Sequence, residues 1–309
     1  MKGAAGVLLM LVGASLIIFL AANALPGDPA AVMLGTAARP DTLAALRLEL
    51  GLDRPILLRW LEWLGDALRG DLGRSLTYGT PVSVLVGARL ALTLPLAFLG
   101  FLLAAAIGLG LGLLSARRPG GWLDRLTTIA TQAGTAVPAF VVGLCLVLLA
   151  SRSTAWPTGG FPGWQDGFLP ALQSLALPTL ALALPQGMVL ARVARAALMD
   201  VGSEDYMRTA RAKGLSRGQA LRRHALPNSL VAVATVMGLQ FSFLVGGAVL
   251  VETVFALPGL GQLAVQSLQN RDLVTLQAVA LLLVATVIGV NALVDFALGR
   301  LDPRWGERP

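Results

Sequence analysis

The sequence predicts an all-α membrane protein. It reads as six transmembrane helices, with a long extracytoplasmic segment after the first and a basic cytoplasmic loop between the fourth and fifth. Three observations predict this class. The 309-residue chain is 56% apolar and 13% charged, with a mean hydropathy of +0.74, outside the range of ordinary soluble domains. Six apolar stretches are each long enough for a hydrocarbon core of roughly 30 Å at about 1.5 Å per residue. The charges are also unevenly placed: one side of the alternating topology holds fifteen basic and seven acidic residues, the other nine basic and ten acidic. Cations collect on the cytoplasmic side, so the net charge of +7 is an orientation signal and not a nucleic-acid footprint. Six spans place both termini inside. Residues 1–309 read as a single membrane domain without an internal repeat.

The first span covers about 4–22, AAGVLLMLVGASLIIFLAA. A signal peptide is the competing reading, since Lys2 precedes an apolar core. The run is long for that, and no small-x-small cleavage site follows, which favours a retained span. The extracytoplasmic segment, 23–90, opens with Leu25-Pro26-Gly27-Asp28-Pro29 and balances seven Arg with seven acids. Asp41 is expected to cap a helix ending at Gly51, and Pro55 to open another reaching about Leu68. Leu57, Trp60, Leu61, Trp63 and Leu64 give that second helix an apolar face suited to the membrane interface.

Span two, about 91–115, carries Gly108, Gly110 and Gly112, a small face for close helix contact. Arg117, Arg118 and Arg125 mark the next loop as cytoplasmic. Span three, about 126–150, has Pro138 near its middle, and the loop WPTGGFPGW from Trp156 reads as a turn. Span four, about 173–196, contains Pro178 and Pro185, which are expected to kink it. Span five is about 229–251, followed by an outer segment, 252–274, and span six is about 275–298 with Asp295 near its inner end.

The most basic run, SEDYMRTARAKGLSRGQALRRHALP (203–227), lies between spans four and five. Ser203 is placed to cap a first helix from about Glu204 to Lys213, with Glu204 and Asp205 where the helix dipole favours anions. Gly214 suits the position after the helix end, where positive φ is needed. Ser216 and Gln219 have the spacing of a capping box, opening a second helix to about Ala225. Pro227 then precedes Asn228, a candidate cap for span five. Tyr206, Ala210 and Gly214 share one small, smooth face, beside Met207 and Arg211, that would suit a groove on a partner.

This run resembles the cytoplasmic loop of permease subunits of binding-protein-dependent ABC importers, of the form E-A-A-x3-G-x9-I-x-L-P. Ala210, Gly214, Leu226 and Pro227 match in register, while Arg208, Thr209 and His224 replace the Glu, first Ala and Ile. The run Tyr206–Leu215 is similar to the peptide/nickel (dipeptide/oligopeptide permease B-like) branch, where Arg in the Glu position is usual. The LPGDP opening, GDLGRS at 70–75 and F-x-x-P-G-L-G followed by Arg271-Asp272 also resemble that branch. The resemblance implies a bacterial inner-membrane transport subunit. Its coupling loop, 203–227, would dock an ATPase through Glu204, Asp205, Tyr206, Arg208, Thr209, Ala210, Arg211, Lys213, Gly214, Leu215, Leu226 and Pro227. It further implies two ATPase subunits that bind the ATP and Mg, a second related permease subunit and an extracytoplasmic solute-binding protein.

No phosphate-binding G-x4-G-K-[S/T] frame, G-x-S-x-G or H-E-x-x-H occurs, so no cofactor is expected in this chain. His224, the only His, and Cys145, the only Cys, leave no His/Cys metal cluster and no internal disulfide. Polar residues in spans tend to face a cavity or another helix. Gln240, Gln132, Thr131, Thr135, Gln186 and Asn291 are therefore the candidates for a translocation path, and helix–helix contact is the alternative role for each. Peptides, nickel or its chelates, glutathione and other small solutes remain open as cargo. An autonomous channel or secondary carrier is the alternative class, disfavoured by the docking motif.

Overall fold

The long apolar runs fold as helices because a bilayer leaves no other partner for their backbone N–H and C=O groups. The computed structural model describes residues 4–24, 28–35, 38–49, 51–152 and 156–301. In order these are α1 (Ala4–Ala24), α2 (Pro29–Leu34), α3 (Pro40–Glu49), α4 (Ile56–Leu68), α5 (Val82–Arg117), α6 (Trp122–Ala136), α7 (Ala139–Ala150), α8 (Phe168–Gly202), α9 (Asp205–Ala212), α10 (Arg217–Ala220), α11 (Leu226–Val254), α12 (Leu260–Gln269) and α13 (Leu273–Leu301). Among the described residues the strand-like pairing is a single bridge, Arg74 with Pro81. Residues 25–27 of the LPGDP run and the tail after Leu301 lie outside the described residues.

Five helices are long and apolar enough to cross a membrane, and a sixth crossing requires α6 and α7 to count together. That pair corrects the continuous third span expected over 126–150. Its two helices meet at a 101° bend. The cause is Pro138: the residue before a proline is pushed to extended backbone, and Val137 sits at φ −96°, ψ 120°. Pro178 and Pro185 do not interrupt α8, which runs 35 residues through both.

One packed unit comprises Met1–Leu92 with Pro258–Ile288, and a second comprises Thr93–Leu257 with Gly289–Pro309. In the first, α4 lies against α1. Trp60 donates from its indole N–H to Ser15 Oγ (3.2 Å), and Trp63 packs on Phe19 with ring centroids 5.6 Å apart. Leu57 and Leu61 stay exposed on the same helix. Asp41 does not cap α3. Thr42 Oγ1 instead accepts from Arg39 N and donates to Arg39 O.

The first unit also joins two motifs that the sequence keeps 197 positions apart. Asp272 is buried at the start of α13 and accepts from Ser75 Oγ, Thr77 N, Thr275 N and Thr275 Oγ1. GDLGRS and the Arg271-Asp272 pair are thus one knot. Gly73 reaches it at φ +79°, with Val274 Cγ1 only 2.8 Å from where a Cβ would stand.

In the second unit α8 is the central helix, its buried residues running from Ala171 to Leu198. Gly108 and Gly112 of α5 bring the two backbones together: a Cβ at Gly108 would stand 2.4 Å from Leu190 Cβ, and one at Gly112 2.6 Å from Ala194 Cβ. Gly110 faces open space, because residues two apart lie on opposite sides of a helix. At the far end of α11, Glu252 is completely buried and accepts from Thr93 Oγ1 at 2.7 Å. The helix that carries it continues to Val254.

Candidate functional site

The basic run after α8 folds as a short helix, a tight turn and a re-entry into a long helix. Ser203 closes α8 instead of opening α9: its N and Oγ both donate to Asp200 O. Glu204 takes the N-cap backbone position at ψ 150° with no side-chain cap bond, and Asp205 follows in the first turn. Met207 turns inward onto an apolar cluster of Ala116, Leu198, Ala220, Leu221 and Ala225, and Ala210 is buried as well. Leu215 and Leu226 pack against the same cluster. Tyr206, Arg208, Thr209, Arg211 and Lys213 remain exposed. This corrects the expectation of one smooth outward face, since Ala210 is spent on the chain's own core. The exposed Arg208–Asp205 pair at 3.4 Å contributes little, because solvent screens it.

Gly214 sits at φ +91°. Leu215 N donates to Ala210 O, and Gly214 N to Arg211 O, the pattern of a glycine-terminated helix. The capping box forms as expected: Gln219 N donates to Ser216 Oγ (3.3 Å), and Ser216 N to Gln219 Oε1 (2.9 Å). From there the chain does not break before span five. A π-helical turn over Leu221–Ala225 joins α10 to α11, and Arg217–Val254 forms one 38-residue helix.

Pro227 explains the wide turn. It lacks an N–H and its ring crowds the preceding carbonyls, and the register shift makes room. Asn228 is consequently no cap. Its Nδ2 donates to His224 O (2.8 Å) and to Tyr206 OH (3.3 Å), which ties α9 directly to α11.

Just before this loop lies a cluster that sequence reading missed. Asp124, 4% exposed, accepts two parallel bonds from Arg195, Nε at 2.6 Å and Nη2 at 2.9 Å, plus bonds from Gly120 N at 2.8 Å and Ser115 Oγ. Two parallel N–H···O bonds fix orientation as well as energy. The cluster fastens the ends of α5 and α6 to the last turns of α8. Its partners are up to 71 residues apart, so no local pattern announces it.

The six polar span residues do not converge. Thr131 and Gln132 line one small cavity with Thr127, Thr128, Arg192 and Arg195. Thr135 donates to Gln132 O of its own helix. Asn291 donates to Ser242 Oγ at 3.1 Å, and its Oδ1 stands 2.9 Å from where a Cβ on Gly238 would be, so it serves helix contact. Gln240 is buried and Gln186 half-buried, neither lining that cavity.

Residues 108–307 match the family model described as the inner membrane component of binding-protein-dependent transport systems. Residues 1–97 match the model for the N-terminal part of such membrane components. The chain belongs to this family of inner-membrane permeases. It is similar to a probable peptide ABC transporter permease of Sinorhizobium fredii, 41% identical over 288 residues, covering 93% of this chain and 92% of the relative. It is similar as well to the glutathione transport system permease of Escherichia coli K12, 38% identical over 290 residues, covering 94% and 92%. The MetNI methionine ABC transporter in inward-facing conformations shares the fold, with a TM-score of 0.59 at 21% identity over 71% of this chain and 96% of that one.

The permease is thus a multi-pass inner-membrane subunit of an ABC importer, a family whose permeases imply an ATPase and a binding protein as partners. Permeases of this family carry solute and are not themselves enzymes.

Proposed function

We propose that the permease forms half of the membrane path of an ATP-driven importer for di- or oligopeptides, and that α9 is where the ATPase grips it. The observation that carries this reading is the two-sided character of α9. Met207 and Ala210 are buried in the chain's own core, while Arg208, Thr209, Arg211 and Lys213 face outward. A push on the outer face would reach α11 through the Tyr206–Asn228 bond and α8 through the apolar cluster. The excess of basic residues in this loop supports a cytoplasmic position, with both termini on that side.

ATP and Mg would then bind on two partner ATPase subunits, and a related second permease would complete the path. Peptide cargo is supported by the names of the relatives, one a peptide permease and one a permease for glutathione, itself a tripeptide. Gly214→Pro tests the coupling role. Proline cannot adopt φ +91°, so the turn must rearrange. Expected is loss of uptake with the protein still present in the membrane; unchanged uptake would contradict the role.

A further inference from the structure

The cavity of about 100 Å³ lined by Thr127, Thr128, Thr131, Gln132, Arg192 and Arg195 has an unusual balance of donors and acceptors. Asp124 takes Nε and Nη2 of Arg195, and Nη1 keeps its N–H donors uncommitted among the described residues. Arg192 is exposed and makes no ion pair among the described residues. The Gln132 amide is exposed too. The three threonine hydroxyls already donate to Leu123 O, Asp124 O and Thr128 O, so towards a ligand they can only accept. Two guanidinium groups against one carboxylate leave a net positive charge. The matching ligand is an anion with an N–H beside it.

The same helix shows where water reaches. On α6, Asp124, Thr127 and Thr131 form the buried arc. Trp122, Leu126 and Ile129 form an exposed apolar arc, suited to lipid. Arg125, Thr128 and Gln132 form an exposed polar arc on the other flank. Charged and amide side chains exposed within a membrane domain face an aqueous cavity or another protein. Arg192 and Arg195 stand beside that polar flank.

We infer that this cavity is a carboxylate-binding station on the translocation path. Arg192, Arg195 Nη1 and Gln132 hold the C-terminal carboxylate of a passing peptide, and a threonine hydroxyl accepts from its last amide N–H. Asp124 is the positioning residue for Arg195. By half-neutralising that guanidinium it keeps the station weak enough to release its cargo, as conduction requires. The inference rests on the proposed reading of the permease as a peptide carrier.

The test uses the assembled importer without its binding protein, in phosphatidylcholine nanodiscs, with glycylglycine and glycylglycinamide as probes followed by ligand-observed NMR. Wild type is expected to bind glycylglycine at least about fivefold more tightly than the amide, as a charge-assisted bidentate contact predicts. Arg192→Gln and, separately, the exposed-site variant Gln132→Ala are each expected to weaken glycylglycine binding and shrink that preference. Equal binding of the two probes, no binding to wild type, or variants indistinguishable from wild type would overturn the station. Failure of the ATPase subunits to copurify would instead strike the importer reading, so the two failures are distinguishable.

Discussion

Asp124→Ala is expected to be the most destabilising single substitution among the residues that join α5, α6 and α8. Removing the carboxylate strands four donors at once: Arg195 Nε and Nη2, Gly120 N and Ser115 Oγ. Breaking a buried ion pair by deleting one partner costs about 3–5 kcal/mol. The Arg195 side chain keeps 34% of its surface exposed, so water offsets part of that loss and about 2–3 kcal/mol is the expected cost. Denaturant unfolding of the detergent-purified chain measures it. The double variant Asp124→Ala with Arg195→Met should recover part of the loss, because no uncompensated charge then remains. If Asp124→Ala alone unfolds like wild type, the cluster is not holding α6 to α8.

The second large effect is expected on α5. Alanine at Gly108 or Gly112 places a Cβ at 2.4 Å or 2.6 Å from a facing Cβ, with backbone atoms of α8 within 3.2 Å. The clash is with the neighbouring helix itself, which no rotamer change relieves. Overpacking costs about 1–3 kcal/mol, and the upper end applies here. Gly110→Ala is the internal control: nothing lies within 4 Å of its Cβ position, and replacing a mid-helix glycine contributes roughly 0.5–1 kcal/mol of stability. Thermal stability in detergent should therefore fall for the first two and hold or rise for the third. Equal behaviour of all three would contradict the packing described.

Much of this architecture was legible because its determinants are local. Apolar length gave the long helices, Gly214 the sharp turn, and Ser216 with Gln219 the start of α10. Pro138 was visible as a mid-span proline, but whether a proline bends a helix or ends it depends on what its neighbours pack against. Pro178 and Pro185 stayed inside α8, and Pro138 did not stay inside a helix. The shared face of Tyr206 and Ala210 was likewise readable from spacing. Which way it turned was not, because the burial of Ala210 depends on the assembled fold and not on the spacing within α9.

The buried carboxylates were the least legible. Glu252 and Asp272 fell in a segment expected to be outside, and Asp124 at the edge of a span, so none stood out as buried. Each is satisfied by a donor from a distant stretch: Thr93, Ser75 and Arg195. Burial of an acid is a property of that assembly and leaves no mark in the neighbouring sequence.

Cross-linking from α9 tests most directly whether the ATPase grips this loop. In a Cys145→Ala background, which removes the exposed native thiol, Thr209→Cys and Met207→Cys are compared in the assembled importer with a short bifunctional maleimide. Thr209 is exposed and Met207 is 3% exposed. An adduct between Thr209→Cys and an ATPase subunit, with none from Met207→Cys, is the predicted result. No adduct from Thr209→Cys while the ATPase remains bound would contradict it.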